Sequence, residues 1–256
     1  MIQPAELLPK LQPLVDEIAD RLAQRPHLAE LFRRCYPNTM TTTMRAAADG
    51  TTFVITGDIP AMWLRDSTAQ VRPYLVQAAH DPQIAALLAG VVRRQMRSIQ
   101  IDPYANAFNE TANGAGYQDD LTDMHPAVWE RKYEIDSLCY PLQLAYLLWR
   151  ATGQTDHLDA EYQRAVRSIL ALWTCEQQHI TDSPYHFQRL DCPPSDTLPN
   201  HGHGSPVAPT GMTWSGFRPS DDACTYGYLV PANMFAVVVL GYAATIAREV
   251  HQDEAT

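Results

Sequence analysis

The side chains able to do chemistry in this chain gather in four short stretches. The first, FVITGDIPAMWLRDSTAQVRPY at 53–74, sets Asp58, Trp63, Arg65 and Asp66 around one turn. An indole offers a flat apolar face to the C–H groups of a sugar ring, and a charged pair beside it offers fixed hydrogen bonds to hydroxyls. The same residues also suit a plainer arrangement, with an aspartate capping a helix and an arginine stem lying along a packed tryptophan. On this stretch alone both stand.

The second stretch holds Asn106, Asn109, Glu110 and Asn113, three amides and one carboxylate. The third runs from Trp129 to Ser137 and contains Glu134 and Asp136 just ahead of an apolar helix. Their charge is favourable in a first helical turn, which accounts for one acid more readily than for two. The fourth, Thr213 to Asp222, ends on Arg218, Pro219, Ser220 and the adjacent pair Asp221 and Asp222. Neighbouring residues of a helix or strand cannot both face one substrate. One aspartate therefore acts on the substrate while the other caps a helix or pairs with Arg218. A turn with an Asx cap after Pro219 accounts for the pair as well.

Carboxylates, amides, tryptophans and arginines together match glycoside hydrolysis, in which one acid protonates the leaving oxygen and a second carboxylate works on the other side. Other chemistries fit less well. His201 and His203 have no third ligand at metal-binding spacing, so no metal is expected. There is no phosphate-cradling glycine loop and no GxSxG elbow. No Cys–His pairing is legible, and no cofactor is implied. Two further functions remain open on these residues: a hydrolase or lyase acting on another sugar, and a carbohydrate-binding protein without catalysis.

These stretches need a scaffold. Residues 4–24 carry Leu7, Leu8, Leu11, Leu14, Val15, Ile18 and Leu22 at helical spacing. Further helices are expected at 27–35, 67–79, 82–99, 133–151, 158–178 and 232–250, the one at 67–79 capped by Asp66 or Ser67. Pro82 suits a first-turn position. A short strand is expected at 53–56 after a turn at Asp49-Gly50. Between the helices lie two long irregular segments, 101–129 and 179–231, too long to be passive connections. Helix pairs joined alternately by short turns and long loops describe a mostly α chain of the helical-toroid type, with minor β at the end where the loops gather a site. One domain over 1–256 is expected.

A net charge of −10 argues against a nucleic-acid partner, which needs a basic face. The N-terminal stretch is amphipathic and acidic, unlike a signal peptide. No apolar run reaches the eighteen or so residues that span a bilayer, so no membrane partner is expected. Cys35, Cys139, Cys175, Cys192 and Cys224 are odd in number and far apart, as reduced thiols of a cytoplasmic protein would be.

The strings GDIPAMWLRDSTAQ, IDPYANAFN, VWERKYEIDSLCYP, FQRL and TGMTWSGFRPSDDACTYGYLVPANMFAVV resemble glycoside hydrolase family 125 over about 31–250. The resemblance implies an exo-acting, inverting α-1,6-mannosidase with an (α/α)6 toroid, no metal, and an α-mannoside oligosaccharide as substrate. It implies an aspartate of the RPSDD motif as general acid, here Asp221 with Asp222 as rival. It also implies that Arg65 and Asp66 hold the terminal mannose, with Asp58, Trp63, Asn109, Glu134, Asp136, Trp214 and Arg218 as walls or supports. Family members are longer, with a glutamate base in their C-terminal part, and this sequence shows fewer helices than a closed toroid needs. The expectation is therefore an N-terminal part of such an enzyme, holding the acid but not the base and hydrolysing mannosides very poorly alone.

Overall fold

The computed structural model describes residues 3–253; the outermost residues of the expected 1–256 domain lie outside this range. The chain is mostly helical with a few very short strands. It opens with α1 (Leu8–Arg21), entered through a 3-10 turn at Pro4–Leu7, and α2 (Pro26–Cys35). α1 turns Leu11, Val15 and Ala19 inward, as its spacing requires.

The strand expected at 53–56 is shorter. β1 (Met44–Ala46) and β2 (Thr52–Val54) form an antiparallel hairpin. Its turn is the Asp49-Gly50 turn, where Asp49 accepts from the Thr51 amide at 3.0 Å and Gly50 takes a φ of +80°. β2 crosses the long helix α5 (Pro82–Ile101) at Gly90, where a Cβ would lie 2.4 Å from the Thr52 hydroxyl, so only glycine lets the two backbones approach. Asp81 caps α5 by accepting from the Gln83 amide at 2.8 Å, and Pro82 begins the helix, matching the sequence signal.

The helix expected at 67–79 starts earlier and breaks. α3 runs Leu64–Val71, a 3-10 turn follows at Arg72–Tyr74, and α4 is Leu75–Ala78. Neither Asp66 nor Ser67 is its cap. Trp63 occupies that position in an extended conformation with no side-chain cap bond, because Trp63 is paired in a strand and its amide donates to the Thr56 hydroxyl at 3.1 Å. That strand, β3 (Met62–Trp63), joins β4 (Ala107–Phe108) and β5 (Val128–Glu130) in an antiparallel sheet of order β3-β4-β5. The register pairs Trp63 with Ala107 and Ala107 with Glu130. This small sheet splices three of the four chemistry-bearing stretches together.

α6 (Ile135–Thr152) packs against α3, α5 and α9, and ends on Gly153 in the left-handed conformation that closes helices. α7 (Ala160–Glu176) is capped by Asp159 and lies on α5; α8 (His179–Asp182) is a single turn. α9 (Val230–Ile246) closes the described fold. Two aromatic pairs seat it on α6: Tyr140 against Phe235 at 5.1 Å, and Tyr146 stacked on Tyr242 at 4.1 Å. Between α7 and α9 lies an apolar groove of about 240 Å3, lined by Val166, Leu170, Leu240 and Ala243.

One sequence expectation fails here. The helix over Val230–His251 is long and apolar enough, by length and composition, to cross a membrane, and 28% of its apolar window is buried. Val237 and Met234 on it are 72% and 66% exposed.

Candidate active site

Arg65 sits in the first turn of α3, where β3 delivers the chain. Four carboxylates lie within 4.0 Å of its guanidinium: Glu134 at 2.8 Å, Asp66 at 3.2 Å, Asp221 at 3.7 Å and Asp136 at 4.0 Å. Asp66 comes from the same turn of α3. Glu134 and Asp136 come from the start of α6, where they also face that helix's positive end. Asp221 arrives on the hairpin turn between Phe217 and Ala223, which bridge each other.

Burial separates the four acids. The side chains of Glu134 and Asp136 are 0% and 5% exposed, while those of Asp66 and Asp221 are 46% and 40% exposed. Burial pushes the Glu134 carboxyl well up from its ordinary value; the Arg65 charge opposes this, and the negative charges of Asp136 and Asp221 add to it. Asp136 is pushed up to about 6, again by burial first, with Arg65 pulling the other way. Neither Asp136 oxygen has a hydrogen-bond partner among the described residues, whereas Glu134 accepts from the Ser137 hydroxyl at 2.7 Å. For Arg65, burial alone would lower the pKa, but the surrounding acids outweigh it and hold the guanidinium above its ordinary value. The result is a cationic floor flanked by buried acids that resist ionising, with Asp66 and Asp221 reaching into solvent.

Asp222 turns away. It pairs with Arg218 at 2.9 Å and accepts from the Ser220 hydroxyl at 2.7 Å, and the hydroxyl contact together with Arg218 holds its carboxyl below its ordinary value. A cavity of about 600 Å3 is lined by Pro194, Ser195, Leu198, Arg218 and Asp222, and not by Asp221 or Arg65. Arg218 is thus a partner of Asp222 rather than a wall of the Arg65 cluster.

Three other expected residues sit elsewhere. Asn109 is 3% exposed and spends its amide on the carbonyls of Ala115 at 2.9 Å and Pro126 at 3.0 Å, pinning the 109–127 loop from inside. Trp214 is 1% exposed and stacks on His179 at 3.6 Å. A Cβ on Gly227 would fall 2.3 Å from the Trp214 indole, so this ring plugs the core and presents no face to a sugar. Asp58 is exposed in its turn and makes no ion pair with the described residues. Trp63 fits better: it leads directly into Arg65, packs beside Trp129, and keeps its indole N–H buried without a partner among the described residues.

Asn106 and Lys132 stand in the second and third of the chemistry-bearing stretches, but the sequence assigns neither a role at the site. Asn106 is 0% exposed and donates to Glu130 at 3.1 Å and to Asp221 Oδ1 at 3.5 Å. Lys132 is 2% exposed and donates to the Asp221 main-chain carbonyl at 2.9 Å. A lysine inside the apolar-flanked string WERKYEID, heading into a buried helix, was the available signal. No group of three or more His, Cys, Asp or Glu side chains is arranged to hold a metal among the described residues.

A family model described as metal-independent alpha-mannosidase (GH125) matches residues 25–256. The Meiotically up-regulated gene 157 protein of Schizosaccharomyces pombe is 37% identical over 251 residues, which take in 89% of this chain and 49% of that protein. A solved Streptococcus pneumoniae structure, described within a family of metal-independent alpha mannosidases as a non-productive complex with alpha-1,6-mannobiose, is 53% identical. It superposes with a TM-score of 0.92 over 94% of this chain and 57% of that one. The chain therefore spans about half the length of the curated relative and under two thirds of the solved one.

Proposed function

Since the chain belongs to the metal-independent α-mannosidase family GH125, we propose that it carries the terminal-sugar subsite and the general acid of an inverting exo-α-1,6-mannosidase. The observation behind this is the half-exposed Asp221 carboxylate, 3.7 Å from an arginine that is otherwise ringed by acids. A mannose held by Arg65 and Asp66, with Trp63 at its edge, would bring its glycosidic oxygen to Asp221. Asp221 donates its proton to that oxygen as the C–O bond breaks, and Glu134 and Asp136 hold Arg65 in place beside it. Inversion then requires a water activated by a second carboxylate on the opposite face of the ring.

The helix pairs fit a portion of an (α/α)6 toroid. The resemblance places the base in the later part of family chains, and this chain covers 57% of the solved relative. We therefore take its unaided hydrolysis of α-1,6-mannobiose to be very poor. The described cysteines are unpaired, which supports a reducing, cytoplasmic setting.

Titration calorimetry with mannose, alongside an assay on α-1,6-mannobiose, tests the proposal. Saturable mannose binding that Arg65→Ala removes, with little turnover, is expected. Absence of mannose binding overturns the subsite, and brisk turnover by the chain alone overturns its dependence on a separate base.

A further inference from the structure

Asp221 is held in a left-handed backbone conformation, which aspartate tolerates better than most residues but still at a cost. Its φ is +64°, in the left-handed region where a Cβ crowds the following carbonyl. Such strain persists only where the surroundings enforce it, and it concentrates at working sites. Here it has a geometric effect: it turns Asp221 toward Arg65 while Asp222 faces Arg218.

What enforces it is legible. Lys132 Nζ donates to the Asp221 carbonyl at 2.9 Å. The lysine's own main chain is fixed, since its amide donates to Asn106 Oδ1 at 3.2 Å. The next residue, Tyr133, donates its amide to the Tyr185 hydroxyl at 3.0 Å and accepts from the Phe217 amide at 3.0 Å. Asn106 Nδ2 in turn reaches Asp221 Oδ1 at 3.5 Å. The three residues form a closed ring of hydrogen bonds around the proposed acid. The ammonium is 2% exposed and is balanced by Asp196, with which it pairs directly, and by Glu130 at 3.7 Å; both acids are tied to Arg189. Burying an ammonium is costly unless every donor is used. A cation of this kind, aimed at one main-chain oxygen of a strained residue, goes beyond what packing asks.

We propose that Lys132 is a positioning residue for Asp221: its charge-assisted hydrogen bond holds the left-handed turn that presents the Asp221 carboxylate to the Arg65 cluster. The catalytic part of this rests on the mannosidase reading; the conformational part does not.

A denaturation cycle on the chain tests the conformational part. Lys132→Met is made in the parent and in an Asp221→Gly background, where the left-handed backbone is free of strain. In the parent, Lys132→Met lets residue 221 leave the strained conformation and recovers that strain, so the loss in denaturation midpoint is expected to be clearly smaller in the parent than in the glycine background, where there is no strain to recover. Equal losses in both backgrounds mean that Lys132 only balances a buried ion cluster, and overturn the proposal. If Lys132→Met does not fold, Lys132→Gln keeps N–H donors without the charge and is read through the same cycle. The second measurement compares α-1,6-mannobiose, whose leaving group needs a proton, with 2,4-dinitrophenyl α-mannoside, whose leaving group does not. Lys132→Met is expected to slow the first by roughly 10²-fold and the second only slightly. A uniform loss on both substrates overturns the positioning role. Little or no turnover of either by the parent chain is what the mannosidase reading expects of a chain without its base, and the denaturation cycle then decides the proposal.

Discussion

Asp221 and Asp222 are consecutive, yet each answers to a different guanidinium: Asp221 lies 3.7 Å from Arg65, and Asp222 lies 2.9 Å from Arg218. The left-handed φ at Asp221 produces this divergence. It separates two residues that the sequence left as rivals, and it makes them distinguishable by substitution. Asp221→Asn is expected to lower release of mannose from α-1,6-mannobiose by roughly 10²–10⁴-fold, the usual contribution of a positioned acid. Asp222→Asn, which loses an exposed pair, is expected to stay within a few-fold. The assay is run on the most active form of the enzyme, and the reverse ranking would transfer the acid to Asp222.

Asp136 supplies a pH dependence. Its folded-state carboxyl is raised to about 6 from an ordinary 3.8. In that window the folded state binds more protons than the unfolded one, so stability falls as pH rises from about 4 to about 6 and stays lowered above. The size is on the order of 2–3 kcal/mol. Asp136→Asn is expected to flatten this slope and to raise the urea midpoint at pH 7, most visibly when pH 4.5 and pH 7 are compared. An unchanged slope would mean that Asp136 ionises freely.

Asn109 is expected to matter for stability alone. Removing an amide that satisfies buried carbonyls leaves those acceptors unpaired, at about 1–3 kcal/mol. Asn109→Ala should lower the denaturation midpoint accordingly while mannose affinity, measured by calorimetry, stays unchanged. A weakened mannose affinity in a variant that folds normally would return Asn109 to the sugar site.

The outward face of α9 calls for a solution experiment. Large exposed apolar patches drive association. The chain is expected to run above its 28.7 kDa mass in light scattering. The double variant Met234→Glu, Val237→Lys is expected to shift it toward monomer without lowering its melting temperature. A monodisperse parent protein would contradict this.

The helices were largely legible because their signals are local: Asp81-Pro82 opens α5, and leucine spacing outlines α1. The WLRD turn was misread for a physical reason. Asp66 and Ser67 look like caps, but β3 pairing fixes Trp63 in extended geometry and starts α3 earlier than any side-chain signal announces. Two-residue strands such as β3 and β4 have no periodicity to read; pairing across the chain creates them. The Arg65, Asp66, Glu134, Asp136 and Asp221 grouping was anticipated through chemistry and resemblance. Asn106 and Lys132 lie in two of the same stretches, but their roles were not legible, because a buried amide and a buried lysine acquire them from partners more than twenty residues away. Trp214 erred in the opposite direction: an indole beside a functional motif reads as a sugar wall, and only the surrounding glycines show that it fills the core.

A helix that is apolar on every side has no address written on it. Nothing in the hydrophobic pattern of α9 specifies how far it should rotate about its axis or slide along α6. The two aromatic pairs supply both coordinates. Tyr140 with Phe235 and Tyr146 with Tyr242 ascend both chains together, so the helices run in the same direction, and each contact restricts the other as two marks fix a vernier. Asn233 then relays that setting by gripping Thr213 at both its amide and its carbonyl, at 3.0 and 3.1 Å. Thr213 begins the segment that ends in Asp221. The setting of α9 on α6 is thus passed, through Asn233, to the segment that carries Asp221.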